Sequence, residues 1–113
     1  MKRGDVVRID WPYSDRTGSK VRPAVVVQAD ALNMRLADTM LALVSRTSRA
    51  AGVTEVVVDP ALEPSCGLRF VSVVSCNNIL TVDRAFVMHT LGQLSPITMQ
   101  KIDDCLRTAF GIP

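Results

Sequence analysis

The fold is decided by the stretch Val21-Arg22-Pro23-Ala24-Val25-Val26-Val27-Gln28. The apolar run over residues 24–28 is typical of a central strand that is buried on both faces. Pro23 is tolerated at the first residue of such a strand because no ladder donor is needed there. The guanidinium of Arg22, which keeps its charge at any working pH, is therefore predicted to lie at the rim of the sheet. This position suits the binding of an anion, and a phosphodiester is the obvious candidate.

Another predicted strand and a polar loop precede this stretch. Apolar and polar residues mix over residues 6–11, and Val7, Ile9 and Trp11 fall on one face of the predicted strand. Residues 12–20 contain Pro, Ser, Asp and Gly, which is the chemistry of a loop. Arg22 is thus expected beside a polar loop.

The rest of the chain alternates short strands with turns. Further strands are predicted over residues 40–45, 55–59, 68–75 and 86–91. Residues 30–37 contain no β-branched residue and are predicted to form about two helical turns, with Asp30 as the N-cap. Many short strands followed by one longer helix indicate an α+β fold, in which the helix packs on a strongly curved antiparallel sheet.

The terminal helix has clear signals at both ends. Ser95 is the predicted N-cap, and Pro96 occupies the first helical position. Gly111 and Pro113 are predicted to end the helix. The residues expected to face the sheet recur at helical spacing: Ile102, Leu106, Ala109 and Phe110. The residues expected to face outward are Lys101, Asp104 and Arg107.

Length and composition bound the class of protein. At 113 residues the chain is predicted to form one domain, residues 1–113, with a core built mainly from Val, Leu, Ala and Met. No apolar run approaches the roughly 20 residues that span a bilayer, and the N-terminus is charged rather than signal-like. We therefore expect a soluble cytoplasmic protein with no membrane partner.

The cysteines and the histidine give no sign of a metal or cofactor site. Cys66, Cys76 and Cys105 are odd in number and lack C-x-x-C spacing. They are predicted to be free, mostly buried thiols in a reducing compartment. With His89 as the single histidine, four zinc ligands cannot be assembled at any usual spacing, so no metal and no cofactor are expected.

Charge is unevenly distributed along the chain. Residues 1–49 hold nine Lys and Arg against five Asp, whereas residues 50–113 hold four Lys and Arg against six acidic residues. The net charge of +2 therefore conceals a basic first half and an acidic second half. A basic half fits an electrostatic approach to nucleic acid or to an acidic partner segment, and it fits ordinary surface solubility equally well.

Three blocks of sequence resemble the MazF/PemK family of toxins from bacterial toxin–antitoxin pairs. The first block joins residues 3–7, 14–20 and 22–27; the second is the strand 41–44 with Ser45-Arg46; the third is 74–83, followed by 91–95 and the terminal helix. Together the blocks span nearly the whole chain in the order of the family. The order of the blocks is more specific than any block alone.

The resemblance implies a small, curved, antiparallel SH3-like β-barrel with a C-terminal helix, the MazF/PemK/CcdB fold, and normally a homodimer. It also implies the toxin of a type II toxin–antitoxin system that cleaves single-stranded mRNA at short sequence motifs without a metal. The ribose 2′-OH would be the nucleophile, and a 2′,3′-cyclic phosphate would remain. The expected inhibitor is a cognate antitoxin whose disordered acidic C-terminal tail mimics RNA. Operator DNA would be bound only through the antitoxin.

Two residues in the resembling blocks are the first catalytic candidates. Arg22 matches the Arg of the family's Arg-Pro motif, which acts on the scissile phosphate, and its guanidinium fork suits two phosphate oxygens at once. Ser45 aligns with a Thr of many relatives and retains a hydroxyl donor. Each residue also has a plainer interpretation: Arg22 as a surface side chain paired with an Asp, and Ser45 as a strand-end residue bonded to its own backbone.

The sequence departs from the family in its third block. Relatives of the PemK branch carry an Arg and an Asp around a Cys, whereas this chain has Ser75-Cys76-Asn77. Asn77 cannot take a proton as a carboxylate can. Asp15 is the only carboxylate in the first loop and is therefore the candidate general base, although it fits a turn-capping role equally well. Without such a base, catalysis would rest on charge stabilisation and would be slow.

Further side chains are candidates for binding RNA: Tyr13, Thr17, Lys20, Arg46, Arg49 and Asn77. Tyr13 is a better candidate than Trp11 for stacking on a base, because Trp11 belongs to the apolar face of its strand. The cationic candidates would hold the RNA backbone as simple charges, with solvated surface positions as the alternative.

Two other functions fit the same sequence. One is a catalytically weakened RNA-binding or regulatory homologue, which Ser75 and Asn77 suggest. The other is a non-enzymatic gyrase inhibitor like CcdB, because Phe110-Gly111-Ile112 resembles the aromatic-Gly-Ile terminus of that protein. The Arg22-Pro23 strand favours the ribonuclease branch over this second alternative.

Overall fold

The structure is a computed structural model that describes residues 1–46 and 50–113. In the described part, six β-strands, two α-helices and two short 3₁₀ turns follow one another. In chain order they are β1 (Asp5–Pro12), β2 (Ser19–Val26), α1 (Asp30–Asn33), β3 (Asp38–Arg46), β4 (Glu55–Val58), a first 3₁₀ turn (Pro64–Cys66), β5 (Ser72–Asp83), a second 3₁₀ turn (Arg84–Phe86), β6 (His89–Gln93) and α2 (Pro96–Phe110). The predicted α+β fold is confirmed.

All six strands form one antiparallel sheet in the order β4-β5-β3-β2-β1-β6. Within the described residues no pairing joins β4 to β6, so the sheet is open at these two edges. Helix α2 packs against β4 and β5. The predicted arrangement of a C-terminal helix on an antiparallel sheet is thus present.

The sheet carries one hydrophobic cluster on each face, because successive side chains of a strand point to opposite sides. On the face that α2 covers, Val6, Val25 and Val44 pack with Ile102 and Cys105 of the helix. The opposite cluster consists of Val7, Ile9, Trp11, Ala24, Val26, Leu41 and Leu43. These contacts confirm the predicted apolar face of β1 and the burial of residues 24–28.

Three predicted elements differ from the structure. Residues 68–71 are not in a strand: β5 runs from Ser72 to Asp83, because its long pairing with β3 begins only there. Strand β6 begins at His89 rather than at residue 86, since a 3₁₀ turn precedes it. Helix α1 is a single turn, and Asp30 does not cap it. Instead the Asp30 carboxylate accepts a hydrogen bond from the backbone N–H of Arg3 at 2.7 Å.

The predicted ends of α2 are confirmed. Ser95 is the N-cap, and its hydroxyl accepts a hydrogen bond from the Thr98 N–H at 3.2 Å. Gly111 ends the helix in the left-handed conformation. The prediction that Phe110 faces the sheet is wrong: it occupies the last helical position, beside Ile112 at the surface, and is 62% exposed. Among the described residues, no helix has both the length and the apolar character needed to cross a membrane.

The three cysteines are free and buried, as predicted. Cys76 of β5 and Cys105 of α2 belong to the same hydrophobic cluster. Burial, together with the neighbouring Cys105 thiol, raises the pKa of the Cys76 thiol to about 12. Because the thiolate is the reactive form, Cys76 is a packing residue and not a nucleophile at neutral pH.

Two glycines allow the first 3₁₀ turn to contact β6 backbone to backbone. Gly67 follows the turn with a φ of 74°, and a Cβ there would lie 2.1 Å from the Leu91 carbonyl oxygen. A Cβ on Gly92 would lie 2.3 Å from the Ser65 carbonyl oxygen. The segment that leads to β5, residues 68–71, is therefore anchored at its start to β6.

Replacing Gly67 by alanine is expected to destabilise the protein strongly. The left-handed backbone disfavours alanine by about 1–2 kcal/mol, and the clash with Leu91 adds about 1–3 kcal/mol of overpacking. Gly111→Ala is the matched control, because Gly111 has a φ of 68° but a Cβ there meets nothing within 4 Å. Denaturant unfolding should give a clearly larger loss for Gly67→Ala. Equal losses for the two variants would contradict the backbone contact.

Candidate functional site

A cleft opens between β2 and β3 because Pro23 interrupts their hydrogen-bond ladder. The Val27 N–H donates to the Met40 carbonyl oxygen at 3.0 Å. Alternate residues of an antiparallel strand point their N–H groups toward the same neighbour, so the next donors toward β3 are Val25 and then Pro23. Proline has no N–H to donate. Accordingly, the last residue of β2 that is paired with β3 is Ala24.

Beyond this point the two strands follow different partners. Strand β2 stays paired with β1 back to Ser19, and β3 stays paired with β5 as far as Arg46. The register of the paired part, continued by two residues, sets Arg22 opposite Ser45. The prediction that Pro23 is the first residue of its strand is wrong, because Pro23 lies inside β2, which begins at Ser19. The donor that proline lacks is the reason why the two candidate residues line a gap.

This gap is part of a cavity of about 550 Å³. Five of its lining residues are cations: Arg8, Lys20, Arg22, Arg46 and Arg69. In the part of the chain that the structure describes, no Asp or Glu belongs to the lining. A concave surface with one sign of charge focuses its field outward and attracts the opposite charge. The cavity is therefore a strong anion-binding candidate.

The Arg22 side chain is available for a ligand. Arg22 is partly buried, and among the described residues its guanidinium has no ion pair and no hydrogen bond. By contrast, Arg3 is paired with Asp103 at 2.6 Å. The plainer interpretation, an Arg22 paired with an Asp, thus has no support in the described part of the chain. Its donors remain free to bind two oxygens of a phosphate.

Arg46 and Phe70 form a stacked pair in the cavity lining. The guanidinium carbon of Arg46 lies 4.1 Å from the centre of the Phe70 ring. Both side chains are exposed, Phe70 to 51%. A cation over an exposed aromatic ring is attracted to it by about 0.5–1 kcal/mol. The contact orients the guanidinium while much of the ring surface stays accessible.

Asp15, the candidate base, lies outside the cavity lining. Its carboxylate accepts hydrogen bonds from the Thr17 N–H at 3.0 Å and from the Thr17 hydroxyl at 2.7 Å. These bonds lower the pKa of the exposed Asp15 carboxyl below its ordinary value. A lower pKa makes a weaker proton acceptor, so this geometry favours the turn-capping role. The assignment of Asp15 as the base stays a prediction.

The aromatic candidate of the first loop is also separate from the cavity. Tyr13 is 44% exposed, and its N–H donates to the Gly18 carbonyl oxygen at 2.8 Å, which closes the hairpin turn between β1 and β2. Neither Tyr13 nor Thr17 belongs to the cavity lining. This loop joins the cavity only where β2 begins, through Lys20.

The remaining RNA-binding candidates lie in different places. Arg46 lines the cavity, as described above. Asn77 is exposed on β5, within the residues that bulge between Ser75 and Ile79 of the pairing with β3, and it does not line the cavity. Arg49 lies outside the described residues.

Three charged or aromatic lining residues were missed by the sequence interpretation: Arg8, Arg69 and Phe70. Arg8 has no local signal, because it reaches the site only through the register that pairs it with Pro23. Arg69 and Phe70 directly follow the turn cluster that ends at Gly67. An adjacent cation and aromatic residue after a turn was a usable signal for a binding loop, and the predicted strand over residues 68–75 concealed it.

The arrangement can bind a phosphate and stabilise added negative charge on it. Guanidinium and hydroxyl donors that are already in place need no rearrangement when charge develops on an oxygen. In the described part of the chain, the lining includes no histidine or carboxylate that would accept a proton. The same part contains no group of three His, Cys, Asp or Glu side chains that could hold a metal ion.

Two curated relatives are mycobacterial endoribonucleases. The chain is 32% identical over 111 residues to endoribonuclease MazF1 of Mycobacterium bovis, and equally to endoribonuclease MazF4 of Mycobacterium tuberculosis. Each match covers 98% of this chain and 93% of the relative. The similarity therefore includes the strands and the loop that line the cavity.

Solved structures and a family description agree with these relatives. An endoribonuclease in complex with its cognate antitoxin, from a mycobacterial species, has a TM-score of 0.82 at 31% identity, covering 100% of this chain and 97% of that one. The MazE–MazF complex of Deinococcus radiodurans (form III) has a TM-score of 0.73 at 22% identity, covering 100% and 98%, which bears on the fold alone. The description "PemK-like, MazF-like toxin of type II toxin-antitoxin system" matches residues 2–110. This chain therefore belongs to the family of PemK-like, MazF-like toxins of type II toxin–antitoxin systems.

Proposed function

We propose that this toxin is an endoribonuclease that cleaves single-stranded mRNA at short sequence motifs without a metal ion. The observation that carries the proposal is the cavity between β2 and β3, where Arg22 and Ser45 lie among cations with no carboxylate in the described lining. Family membership and the endoribonuclease relatives support the same reaction. The charge of the cavity supports a polyanionic substrate, because clustered cations bind the phosphates of a nucleic acid largely without regard to its sequence.

In the proposed reaction the ribose 2′-oxygen forms a bond to phosphorus, and the bond from phosphorus to the 5′-oxygen breaks. The Arg22 fork binds two non-bridging oxygens, whose negative charge grows as five-coordinate phosphorus forms. The Ser45 hydroxyl donates a hydrogen bond to one of these oxygens. The 2′-OH loses a proton and the leaving 5′-oxygen gains one. The products are a 2′,3′-cyclic phosphate and a 5′-hydroxyl.

The group that would accept the proton of the 2′-OH is the least supported member of the proposed catalytic residues. Asp15 is the candidate from the sequence, yet its carboxylate is bonded to Thr17 outside the cavity lining. If water accepts the proton, catalysis depends on charge stabilisation alone and is slow. The same observation favours, as a second candidate function, a homologue that binds RNA and cleaves it weakly or not at all.

We also propose that a cognate antitoxin inhibits the toxin by placing an acidic C-terminal segment in this cavity. The mycobacterial relative that was solved with its cognate antitoxin supports such a partnership. Carboxylates of a disordered tail offer the cations the same charge as the phosphates of RNA. In this proposal the toxin acts in the cytoplasm as a homodimer and reaches operator DNA only through the antitoxin.

Arg22→Ala is expected to slow RNA cleavage by at least about 10²-fold, because one donor to the developing charge is worth about 10²–10³ in rate. Arg22→Lys keeps the charge but loses the fork, so its rate should also stay well below that of the wild type. Cleavage of a long single-stranded RNA is measured in EDTA through the cyclic phosphate ends. Arg35→Ala is the matched control, since Arg35 is exposed and lies outside the cavity. Equal rates for Arg22→Ala and Arg35→Ala would refute the assigned role.

Asp15→Asn is expected to retain most of the cleavage activity, far from the roughly 10²–10⁴-fold loss that follows removal of a general base. The physical reason is that the carboxylate is committed to the Thr17 turn. The measurement is the pH dependence of kcat/KM for both proteins. A large loss together with disappearance of the acidic limb would identify Asp15 as the base. That limb would lie below the ordinary carboxyl range, because the Asp15 pKa is lowered.

The salt dependence of binding should report how many cations contact the backbone. For a single strand each neutralised phosphate contributes about 0.7 to the slope of log Kd against log salt, so five contacts give a slope of at most about 3.5. Arg69→Gln is expected to lower the slope by about 0.7, whereas Arg35→Gln should leave it unchanged. Binding is measured with a single-stranded DNA oligonucleotide, which lacks the 2′-OH. An unchanged slope for Arg69→Gln would remove Arg69 from the site.

A further inference from the structure

We propose that Phe70, with Arg46 stacked on it, is the platform on which a nucleobase of the bound RNA stacks, beside the scissile phosphate. The inference rests on the proposed ribonuclease function and names a determinant of which nucleotide the cavity accepts. It also gives Arg46 a different role. The sequence predicted that Arg46 binds the RNA backbone through its charge, whereas here its guanidinium stacks on the Phe70 ring. The observation behind it is the contact of 4.1 Å between the Arg46 guanidinium and the Phe70 ring.

Exposure alone does not single out Phe70. The three phenylalanines of the chain, Phe70, Phe86 and Phe110, are all more than half exposed. Phe70 differs because it lines the cationic cavity, which neither of the others does, and because a guanidinium covers part of its ring. Aromatic faces and guanidinium planes are the two surfaces on which proteins stack unpaired bases. Phe70 and Arg46 supply both at one point.

The platform is held in place from two sides before any ligand binds. The segment that carries Phe70 starts at Gly67, whose backbone contacts the Leu91 carbonyl of β6. At its other end the hydroxyl of the buried Ser72 donates to the Phe70 carbonyl oxygen at 2.8 Å. A loop that is already ordered loses little conformational entropy on binding. The fixed backbone therefore makes an exposed aromatic ring useful for recognition.

The positions of Ser45 and Arg46 along β3 determine which base of the RNA would reach the platform. Arg46 directly follows Ser45, and the strand register sets Ser45 opposite Arg22. A phosphate that is bound by Arg22 and Ser45 therefore has an adjoining nucleotide next to Arg46 and Phe70. Since every base has a π-face, stacking tolerates different bases and depends mainly on their size and orientation. The neighbouring Arg69 is then placed to bind the following phosphate.

The decisive experiment measures binding of a single-stranded DNA oligonucleotide, which the toxin cannot cleave because it has no 2′-OH. Phe70→Ala is expected to weaken binding between about 5-fold and 150-fold, the range for loss of one stacked base. Phe70→Trp should retain the affinity, because it restores an aromatic face. Phe86→Ala is the matched control, since it removes a surface phenyl group outside the cavity. Thermal unfolding of each variant checks that the fold is intact.

Abasic nucleotides distinguish stacking from a structural role. One nucleotide at a time is replaced by an abasic one, and Kd is measured for the wild type and for Phe70→Ala. At the stacked position the abasic oligonucleotide should bind both proteins equally well, because the base that Phe70 contacts is gone. Loss of affinity by Phe70→Ala that is the same for every oligonucleotide, or no loss at all, would overturn the platform.

The RNA cleavage assay separates failure of this inference from failure of the proposed function. If the wild type cuts RNA and Arg22→Ala does not, while Phe70 shows no coupling to any base, the platform alone is wrong. If one base couples to Phe70 but the wild type leaves RNA uncut, the platform stands and the ribonuclease proposal fails.

Discussion

The site depends on one missing hydrogen-bond donor. Pro23 lies at a position of β2 where the backbone N–H should point to β3, and the pairing of these strands ends one residue before it. A sheet whose central strands stay paired throughout has no room for a ligand between them. By ending the ladder, the proline separates β2 from β3 at one end and exposes Arg22 and Ser45 to a common cavity. The strength of the sheet elsewhere is retained, because β2 remains paired with β1 and β3 with β5.

In the part of the chain that the structure describes, the cations that line the cavity differ from Arg3 and Arg84, which have oxygen partners within the protein. Arg3 is paired with Asp103, and the Arg84 guanidinium donates to the Asn33 carbonyl oxygen at 2.7 Å, so these cations contribute to the fold. Within the described lining of the cavity, five cations have no carboxylate among them and repel one another. Such repulsion lowers the stability of the empty protein, and a bound polyanion relieves it. A binding site built from like charges therefore lowers the stability of the fold while it strengthens ligand binding.

Much of this arrangement follows from sequence reasoning, and the rest depends on contacts between distant segments. The family resemblance, the antiparallel sheet with its terminal helix and the Ser95 cap were predicted and are confirmed. The position of Arg22 beside Ser45 could be predicted as well, since both residues lie in sequence blocks that resemble the family. Phe70 was missed because a strand was predicted over residues 68–75, although a cation and an aromatic residue directly follow a turn there. Its place in the cavity also depends on the approach of Gly67 to β6, a contact between distant segments. The role of Asp15 stayed undecided, because a turn acceptor and a base look alike in sequence.

The backbone contact at Gly67 has a consequence for how such toxins diversify. The approach of Gly67 to Leu91 involves main-chain atoms, so the start of the loop is positioned without the side chains at positions 69 and 70. Substitutions at these two positions therefore leave this contact intact, and they also leave Arg22 and Ser45, the proposed phosphate ligands, in place. Under the proposed function, single substitutions at positions 69 and 70 would change which nucleotide the cavity prefers without requiring a new scaffold.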